Sequence, residues 1–332
     1  MAQPAYIRWL RSRVGTRRVI LVFSTVVLRD DQGRILLQRR SDFTWWGLPG
    51  GALEPGEAIL DCARREVLEE TGLQTGELRL VGVYTDPAYE STYPNGDQVQ
   101  QFTICFTGRA AAGHPQPDGE ETRALAFFAP QELPRADMPP YYVAMVDDVL
   151  RQEAAGGEAQ NAWLSFEPPF SRPETISQIE VVRPLIGTAL YIGAGAVGVV
   201  TDSQGQILVV RTRDQSTEWT LPGGFTNLGE NAAQTIVREI AEETGLLVQP
   251  ERLMGVDSPV VPWVYPNGDA VQSLGAVFRC RLLGGAPRPD QSEIAEIGWI
   301  SPAVLAAQDG YPYLQKLNRA VVECLDQGVF VV

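Results

Sequence analysis

Glu66, Glu69 and Glu70 stand at i, i+3 and i+4. On a helix of 3.6 residues per turn this spacing gathers three carboxylates within a wedge of about 100°. Leu60, Ala63 and Val67 centre on the neighbouring wedge, as suits a helix packed against a sheet. Like charges this close cost a few tenths of a kcal/mol per pair even in water, and more when half-buried, where proton uptake is the way out. A hard divalent cation removes the conflict. Mg²⁺ prefers carboxylate oxygens with water and substrate phosphates, and usually takes one or two protein carboxylates per ion. Three acids therefore point to one to three ions shared with a polyphosphate. The plain alternative is a solvated acidic helix face.

A second copy argues against that alternative. GALEPGEAILDCARREVLEETGL runs from Gly51 to Leu73, and GFTNLGENAAQTIVREIAEETGL from Gly224 to Leu246. The copies agree at Gly51/Gly224, Glu57/Glu230, Arg65/Arg238, Glu66/Glu239, Glu69/Glu242, Glu70/Glu243, Gly72/Gly245 and Leu73/Leu246. Between these points they drift, so that Asp61-Cys62 becomes Gln234-Thr235. An acidic register kept through such drift answers a physical demand.

The elements that must position these acids repeat too. LRSRVG (Leu10–Gly15) answers VRPLIG (Val182–Gly187), Trp46-Gly-Leu-Pro-Gly-Gly answers Trp219-Thr-Leu-Pro-Gly-Gly, and YPNGD occurs at Tyr93–Asp97 and Tyr265–Asp269. The offset is far longer than a solenoid repeat of 20–50 residues, so the chain reads as two fused domains. The boundaries expected are 1–152 and 176–332, with 153–175 a linker rich in Gly, Pro and polar residues whose Trp163, Leu164 and Phe166 pack on a domain. Each copy predicts a strand (Val19–Leu28; Tyr191–Thr201), a turn and a second strand (Ile35–Gln38; Ile207–Val210). The acidic helix follows, starting near Glu57 or Glu230 and capped by Gly72 or Gly245. Strands at Leu78–Tyr84 and Val99–Thr107, or Leu253–Val256 and Val271–Leu282, come next. A strand ending Phe127-Phe128 or Trp299-Ile300 and a closing helix (Tyr141–Gln152; Tyr313–Gln327) complete an α/β/α sandwich with a mixed sheet.

The pattern Gly-x5-Glu-x7-Arg-Glu-U-x-Glu-Glu-x-Gly-U, with U aliphatic, resembles the Nudix box. Both copies match it throughout, with Val67 and Leu73, or Ile240 and Leu246, in the aliphatic places. The resemblance implies two Nudix-fold domains in tandem. By it, Glu66 and Glu70 are metal ligands assisted by Glu69, and Glu239, Glu243 and Glu242 repeat those roles. Gly50 and Gly223 offer a backbone carbonyl to metal, and Arg65 and Arg238 orient a ligand Glu. Glu57 and Glu230, in a first helical turn, favour the helix dipole and are structural. The reaction implied is Mg²⁺-dependent hydrolysis, with Mn²⁺ as an alternative, of a nucleoside diphosphate linked to a further group. That group is a sugar or ribose, further phosphate, or a second nucleoside.

The general base comes from Glu69 and Glu242, or from the loop before the last strand, at Glu120 or Glu121 and at Glu293 or Glu296. Trp46 and Trp219 either stack on a base or cap the core. Arg39 or Arg40, with Arg211 or Arg213, either reach phosphate or are surface groups. Tyr89 fits the position of a Tyr in some dinucleoside polyphosphate hydrolases of the family, and Pro262 that of a Pro in ADP-ribose hydrolases. The substrate is left open. One rival reading keeps a single catalytic domain beside a nucleotide-binding sensor or dimerisation domain. A second, isoprenoid diphosphate isomerisation, is disfavoured because the hydrolase box is intact twice and the cysteines share no placement.

Composition sets the outer limits. A net charge of −14 over 332 residues argues against a nucleic-acid polymer or an anionic membrane as partner, but not against phosphates bridged by a cation. One lysine, Lys316, and one histidine, His114, exclude Lys- and His-based mechanisms common to both copies. Cys62, Cys105, Cys280 and Cys324 have no CxxC spacing and read as reduced, mostly buried residues of a cytoplasmic protein. Val19–Leu28 is too short to span a bilayer and no small-residue cleavage site follows it. The two copies are expected to form a pseudo-dimer.

Overall fold

The computed structural model describes residues 5–41, 43–155, 175–213, 218–308 and 311–332. The chain divides into two compact units, Met1–Ala162 and Trp163–Val332. Most of the expected linker, with Trp163, Leu164 and Phe166, falls outside the described residues.

The first unit opens with α1 (Ala5–Val14) and β1 (Val19–Arg29), then β2 (Ile35–Arg40), β3 (Trp46–Gly47) and β4 (Gly50–Ala52). The acidic helix α2 (Ile59–Thr71) leads to β5 (Gln74–Tyr84), β6 (Ser91–Thr92), β7 (Gln98–Ala112), β8 (Thr122–Phe128) and α3 (Pro140–Ala154). Strands β3-β2-β1-β7-β5 form one mixed sheet: β1 and β7 are parallel, from Val19↔Val99 to Arg29↔Arg109, and the other pairs are antiparallel. The alternation of a strand divides β1 between two layers. Ser24 meets Cys62 of α2, whereas Val27 packs with Ile35, Leu37, Met145, Val146 and Val149 under α3. That is the α/β/α sandwich.

The second unit repeats it with α4 (Gln178–Ile186), β9 (Tyr191–Val200), β10 (Ile207–Thr212), β11 (Gly223–Phe225) and α5 (Ala232–Thr244). Next come β12 (Leu246–Asp257), β13 (Trp263–Val264), β14 (Ala270–Gly285), β15 (Ile294–Ile300), α6 (Pro302–Ala306), α7 (Pro312–Glu323) and β16 (Phe330–Val331). Strands β11-β9-β14-β12-β16 form the main sheet, while β10 and β15 pair separately. Here β9 and β14 are parallel, from Val271↔Tyr191 to Cys280↔Val200. Val199, Ile207, Val209, Met254, Val277, Leu317 and Val321 make the core under α7. No described helix is long and apolar enough to cross a membrane.

The ends of the acidic helices follow from single residues. Gly72 (φ 69°) and Gly245 (φ 72°) are left-handed C-caps, a conformation that costs an L-residue about 1 kcal/mol or more. Asn231 starts α5 with a capping box, its side chain accepting from Ala233 N and Gln234 N, whereas Ala58 provides no side-chain cap for α2. Because the helices begin at Ile59 and Ala232, Glu57 and Glu230 precede them instead of sitting in the first turn. Their carboxylates meet arginine, not the helix dipole.

The repeated LRSRVG and VRPLIG segments fold as the ends of α1 and α4. Arg11 donates to Gly15 O (3.1 Å), Arg17 O (2.8 Å) and Gln98 O (2.9 Å), and its Nε lies 3.5 Å from Asp97. Arg183 repeats this on Gly187 O (3.0 Å), Ala189 O (2.8 Å), Ala270 O (2.9 Å) and Asp269 (3.5 Å). The Asp of each YPNGD turn is thereby tied to the preceding helix, which accounts for its repetition.

Candidate active site

Arg65 gathers the acids of α2. Its Nε and Nη2 hold the two oxygens of Glu57 at 2.7 and 2.9 Å, Nη1 reaches Glu66 (2.6 Å) and Glu69 (3.1 Å), and Nη2 also reaches Ala52 O (3.2 Å). Arg238 does the same with Glu230 (2.7 and 3.1 Å), Glu239 (2.8 Å), Glu242 (3.0 Å) and Phe225 O (2.8 Å). One arginine thus fastens helix, preceding loop and the short strand β4 or β11 together by charge-assisted bonds.

Glycine is required beside the acids. A Cβ on Gly51 would lie 2.4 Å from the Glu66 carboxylate, and one on Gly224 would lie 2.5 Å from that of Glu239. Gly50 N–H donates to Glu70 Oε2 at 2.8 Å, and Gly223 N–H to Glu243 Oε2 at 3.1 Å. In each unit the two carboxylates, buried at Glu66 and Glu70 and partly exposed at Glu239 and Glu243, therefore lean on a Gly-Gly backbone that no side chain can crowd.

Burial sets their titration. It pushes Glu66 up to about 7 against the pull of Arg65, and Glu239 up to about 7 against that of Arg238. Glu70 rises to about 8 by burial and then by the charge of Glu66, with Arg40, Gln38 and Gly50 acting the other way. Glu243 is held well above the carboxylate range by burial and then by Glu239. Such crowded, dehydrated acids fit a divalent cation, which would take the place of the protons. Among the described residues no three acidic, Cys or His side chains already converge as a cluster able to hold a metal ion. Glu69, with a side chain 59% exposed, is turned to Arg65. A donor set of two buried carboxylates and a backbone carbonyl, completed by water and substrate phosphate, suits Mg²⁺ without a third acid.

The two units differ behind these carboxylates. Gln38 Nε2 donates to Glu70 Oε2 (2.9 Å) and Leu48 O (3.2 Å), its Oε1 accepts from the Thr122 hydroxyl, and Arg40 lies 3.8 Å from Glu70. Val210, Thr212 and Ile294 hold the places of Gln38, Arg40 and Thr122 in the second unit, so Glu243 lacks this polar backing. Sequence reasoning missed Gln38, although a polar residue in the apolar strand ILLQ was a signal.

The carboxylates of the first unit open on a cavity of about 780 Å³, a size that suits a nucleotide-sized ligand. Gly50, Glu66, Glu69 and Glu70 line it, as do Glu120 and Glu121. Asp118 holds that loop by accepting from the backbone N–H groups of Glu120, Glu121 and Thr122 at 2.8–3.0 Å. The charge of Glu121 bears on Glu66, and that of Glu293 on Glu243, so these two loop acids occupy matching places. Glu296 instead pairs with Arg211 at 2.7 Å.

Arg39 and Trp46 are not brought to the cavity. Arg39 pairs with Asp137 at 2.9 Å and lies over Trp46, whose ring abuts Phe128. Arg211 stacks 4.2 Å over Trp219, which packs against the α7 core. The residues beside them, Arg40 and Trp45, line the cavity together with Phe43. Tyr93, Pro94, Asn95 and Asp97 of the first YPNGD turn also line it. Tyr89 packs on Tyr141.

Comparison with known proteins gives the family. The NUDIX domain family model matches residues 21–149 and again 192–320. Over 109 residues the chain is 36% identical to a protein of Bacillus subtilis named putative 8-oxo-dGTP diphosphatase, covering 33% of this chain and 66% of that protein. Over 102 residues it is 31% identical to the NAD-capped RNA hydrolase NudC of Vibrio vulnificus, covering 31% of this chain and 36% of that one. Among solved structures, a MutT NUDIX hydrolase from Burkholderia pseudomallei superposes with a TM-score of 0.34 at 25% identity, covering 39% of this chain and 98% of that one. With a family match across most of its length, in two copies that each carry the acidic helix, this chain belongs to the NUDIX family.

Proposed function

We propose that the chain is a divalent-metal-dependent hydrolase that cleaves the diphosphate linkage of a nucleoside diphosphate joined to a further group. The observation that carries this reading is the pair of buried carboxylates, Glu66 and Glu70, beside a cavity of nucleotide size, with partly exposed counterparts at Glu239 and Glu243. Glu66, Glu70 and the Gly50 carbonyl would hold the ion, and Glu239, Glu243 and the Gly223 carbonyl would hold its counterpart. Bound there, Mg²⁺ or Mn²⁺ polarises a phosphoryl oxygen and makes water a better nucleophile. Arg65 and Arg238 keep the ligand carboxylates in place. Arg40, 3.8 Å from Glu70 and on the cavity wall, is suited to bind phosphate from the first unit. Glu121, with Glu293 in the second unit, is the loop acid best situated to accept the proton of the attacking water, because its charge already reaches the ligand pair. Glu69 and Glu242, each tied to an arginine, are the alternative bases.

The substrate is a small nucleotide. The substrates that the relatives' names give, an oxidised nucleoside triphosphate and an NAD cap, share the anhydride bond and differ in the attached group. A panel of (d)NTPs, ADP-ribose, nucleotide sugars, dinucleoside polyphosphates and NADH, with Mg²⁺, with Mn²⁺ and with EDTA, tests the reading. Release of nucleotide or phosphate only with metal supports it, and no release from any compound rules it out.

One observation favours a second reading, in which the first unit hydrolyses and the second binds nucleotide. The polar backing of Glu70 by Gln38 and Arg40 is replaced by Val210 and Thr212 behind Glu243. Hydrolysis lost entirely with Glu70→Gln and unchanged with Glu243→Gln would favour it.

A further inference from the structure

The second unit holds a carboxylate that the metal-binding helix does not use. Asp257 ends β12 and is only 8% exposed. Among the described residues no hydrogen bond or salt bridge to its side chain is seen, yet its oxygens are not among the fully buried side-chain atoms left without a partner. Burial pushes its carboxyl up to about 7, with the Lys316 ammonium acting the other way.

The first unit closes the same place upon itself. Strand pairing sets Tyr84 beside Thr103, and Asp257 beside Gly275, at matching points of the two sheets. The Tyr84 hydroxyl donates to Asp148 at 2.7 Å. In the second unit the place of Asp148 on the closing helix is taken by Ala320, so Asp257 has no counterpart of the Tyr84–Asp148 bond. Gly275 leaves the floor beside it bare: a Cβ there would touch only Val197 at 3.5 Å and the Asp257 Cβ at 3.9 Å. Val197, Gly275 and Asp257 therefore share one face. Thr25 and Thr103, which hold the first two of these places in the first unit, line its cavity.

Aromatic rings gather in the same unit. Trp263 meets Tyr311 edge-on at 4.8 Å and Tyr265 at 6.5 Å, and Tyr311 lies 6.2 Å from Tyr313. Tyr265 and Tyr313 hold the places of Tyr93 and Tyr141, both cavity-lining in the first unit. After burial, the charge of Asp257 is what most raises the Tyr313 phenol.

We propose that Asp257, with the Trp263–Tyr265–Tyr311–Tyr313 wall, is the base-recognition subsite of the second unit and takes a base presenting adjacent N–H donors, guanine foremost. An ionised carboxylate only accepts hydrogen bonds. Guanine N1–H and the 2-amino group offer two donors at the spacing of its two oxygens, adenine and cytosine offer one amine, and the N3–H of uracil is flanked by two carbonyls that repel it. The rings provide stacking, which every base accepts, and the buried carboxylate provides the choice. The first unit, with Tyr84 and Asp148 paired off, reads its base by other groups. This specificity rests on the nucleotide-hydrolase reading but is tested without hydrolysis.

The test is equilibrium binding of GMP, AMP and UMP to the full chain in EDTA at pH 8, where Asp257 is ionised, by calorimetry, for the wild type and Asp257→Asn, with thermal unfolding alongside. One class of GMP site is expected to weaken about tenfold or more. UMP binding is expected to stay the same and the Tm to hold. Identical GMP isotherms for the two proteins would overturn the proposal. So would equal weakening of all three nucleotides with a lower Tm, which marks a structural Asp, or no binding of any of them to the wild type. Because no bond is cleaved, a failure here is separable from a failure of the hydrolase reading.

Discussion

Glu70→Gln removes the more deeply buried of the two ligand acids while keeping its shape, and the metal-free protein reports the change as stability. The Glu70 carboxyl lies at about 8 instead of its ordinary 4.5. Each pH unit of that rise corresponds to about 1.4 kcal/mol, so the upper bound is about 5 kcal/mol. Its coupling to Glu66 and the relaxation of the site reduce a usable figure to about 2–3 kcal/mol. The sign follows from which state holds the proton. Between 4.5 and about 8 the unfolded chain ionises Glu70 while the folded chain keeps it protonated. The stability is thus fully present below about 4.5 and is lost as pH climbs through about 8. Glutamine has no proton to lose and still offers an oxygen to Gly50 N–H and Gln38. Urea unfolding in EDTA at pH 5 and pH 9 should therefore show the variant gaining on the wild type by about 2–3 kcal/mol at the higher pH. Saturating Mg²⁺ should reverse the order, because only the wild type has the full donor set. A wild-type-to-variant difference that is the same at both pH values would refute the reasoning.

Arg65→Ala leaves Glu57 and Glu66 without their shared cation and frees Ala52 O, and should cost about 2–3 kcal/mol of unfolding free energy in denaturant titrations. Loss of less than about 0.5 kcal/mol would mean the arginine is dispensable to the site. Gly51→Ala drives a Cβ into the Glu66 carboxylate. It should remove the first unit's share of turnover, read as a fall in kcat for the part that Glu243→Gln leaves behind, and unchanged turnover would show that the carboxylate can move aside.

Much of this architecture was legible in the residues. The i, i+3, i+4 glutamates and the C-cap glycines put the acids on one helix in each copy, the repeat gave two domains, and the β-branched runs gave the main strands. What escaped did so for identifiable reasons. The second strand was expected to stop at Gln38 but continues to Arg40. Two more strand residues place 38 and 40 on the Glu70 side and 39 on the other, so Arg40 and not Arg39 faces the cavity. The same one-residue parity separates Trp45 from Trp46. Helices α1 and α4 are short and Arg-rich or Pro-containing, so their propensity is weak; long-range bonds from Arg11 to Gln98 O and from Arg183 to Ala270 O anchor them to strand starts far along the chain. Glu57 was read as a helix-dipole group because the helix start was set two residues early.

The central claim is that the two carboxylate pairs, Glu66 with Glu70 and Glu239 with Glu243, do the chemistry. The most direct measurement is Mg²⁺-dependent product release across the nucleotide panel by the wild type, Glu70→Gln, Glu243→Gln and the double variant. The account predicts that each single variant loses part of the turnover and the double variant falls to the metal-free background. A double variant that turns over any substrate at the wild-type rate would contradict it.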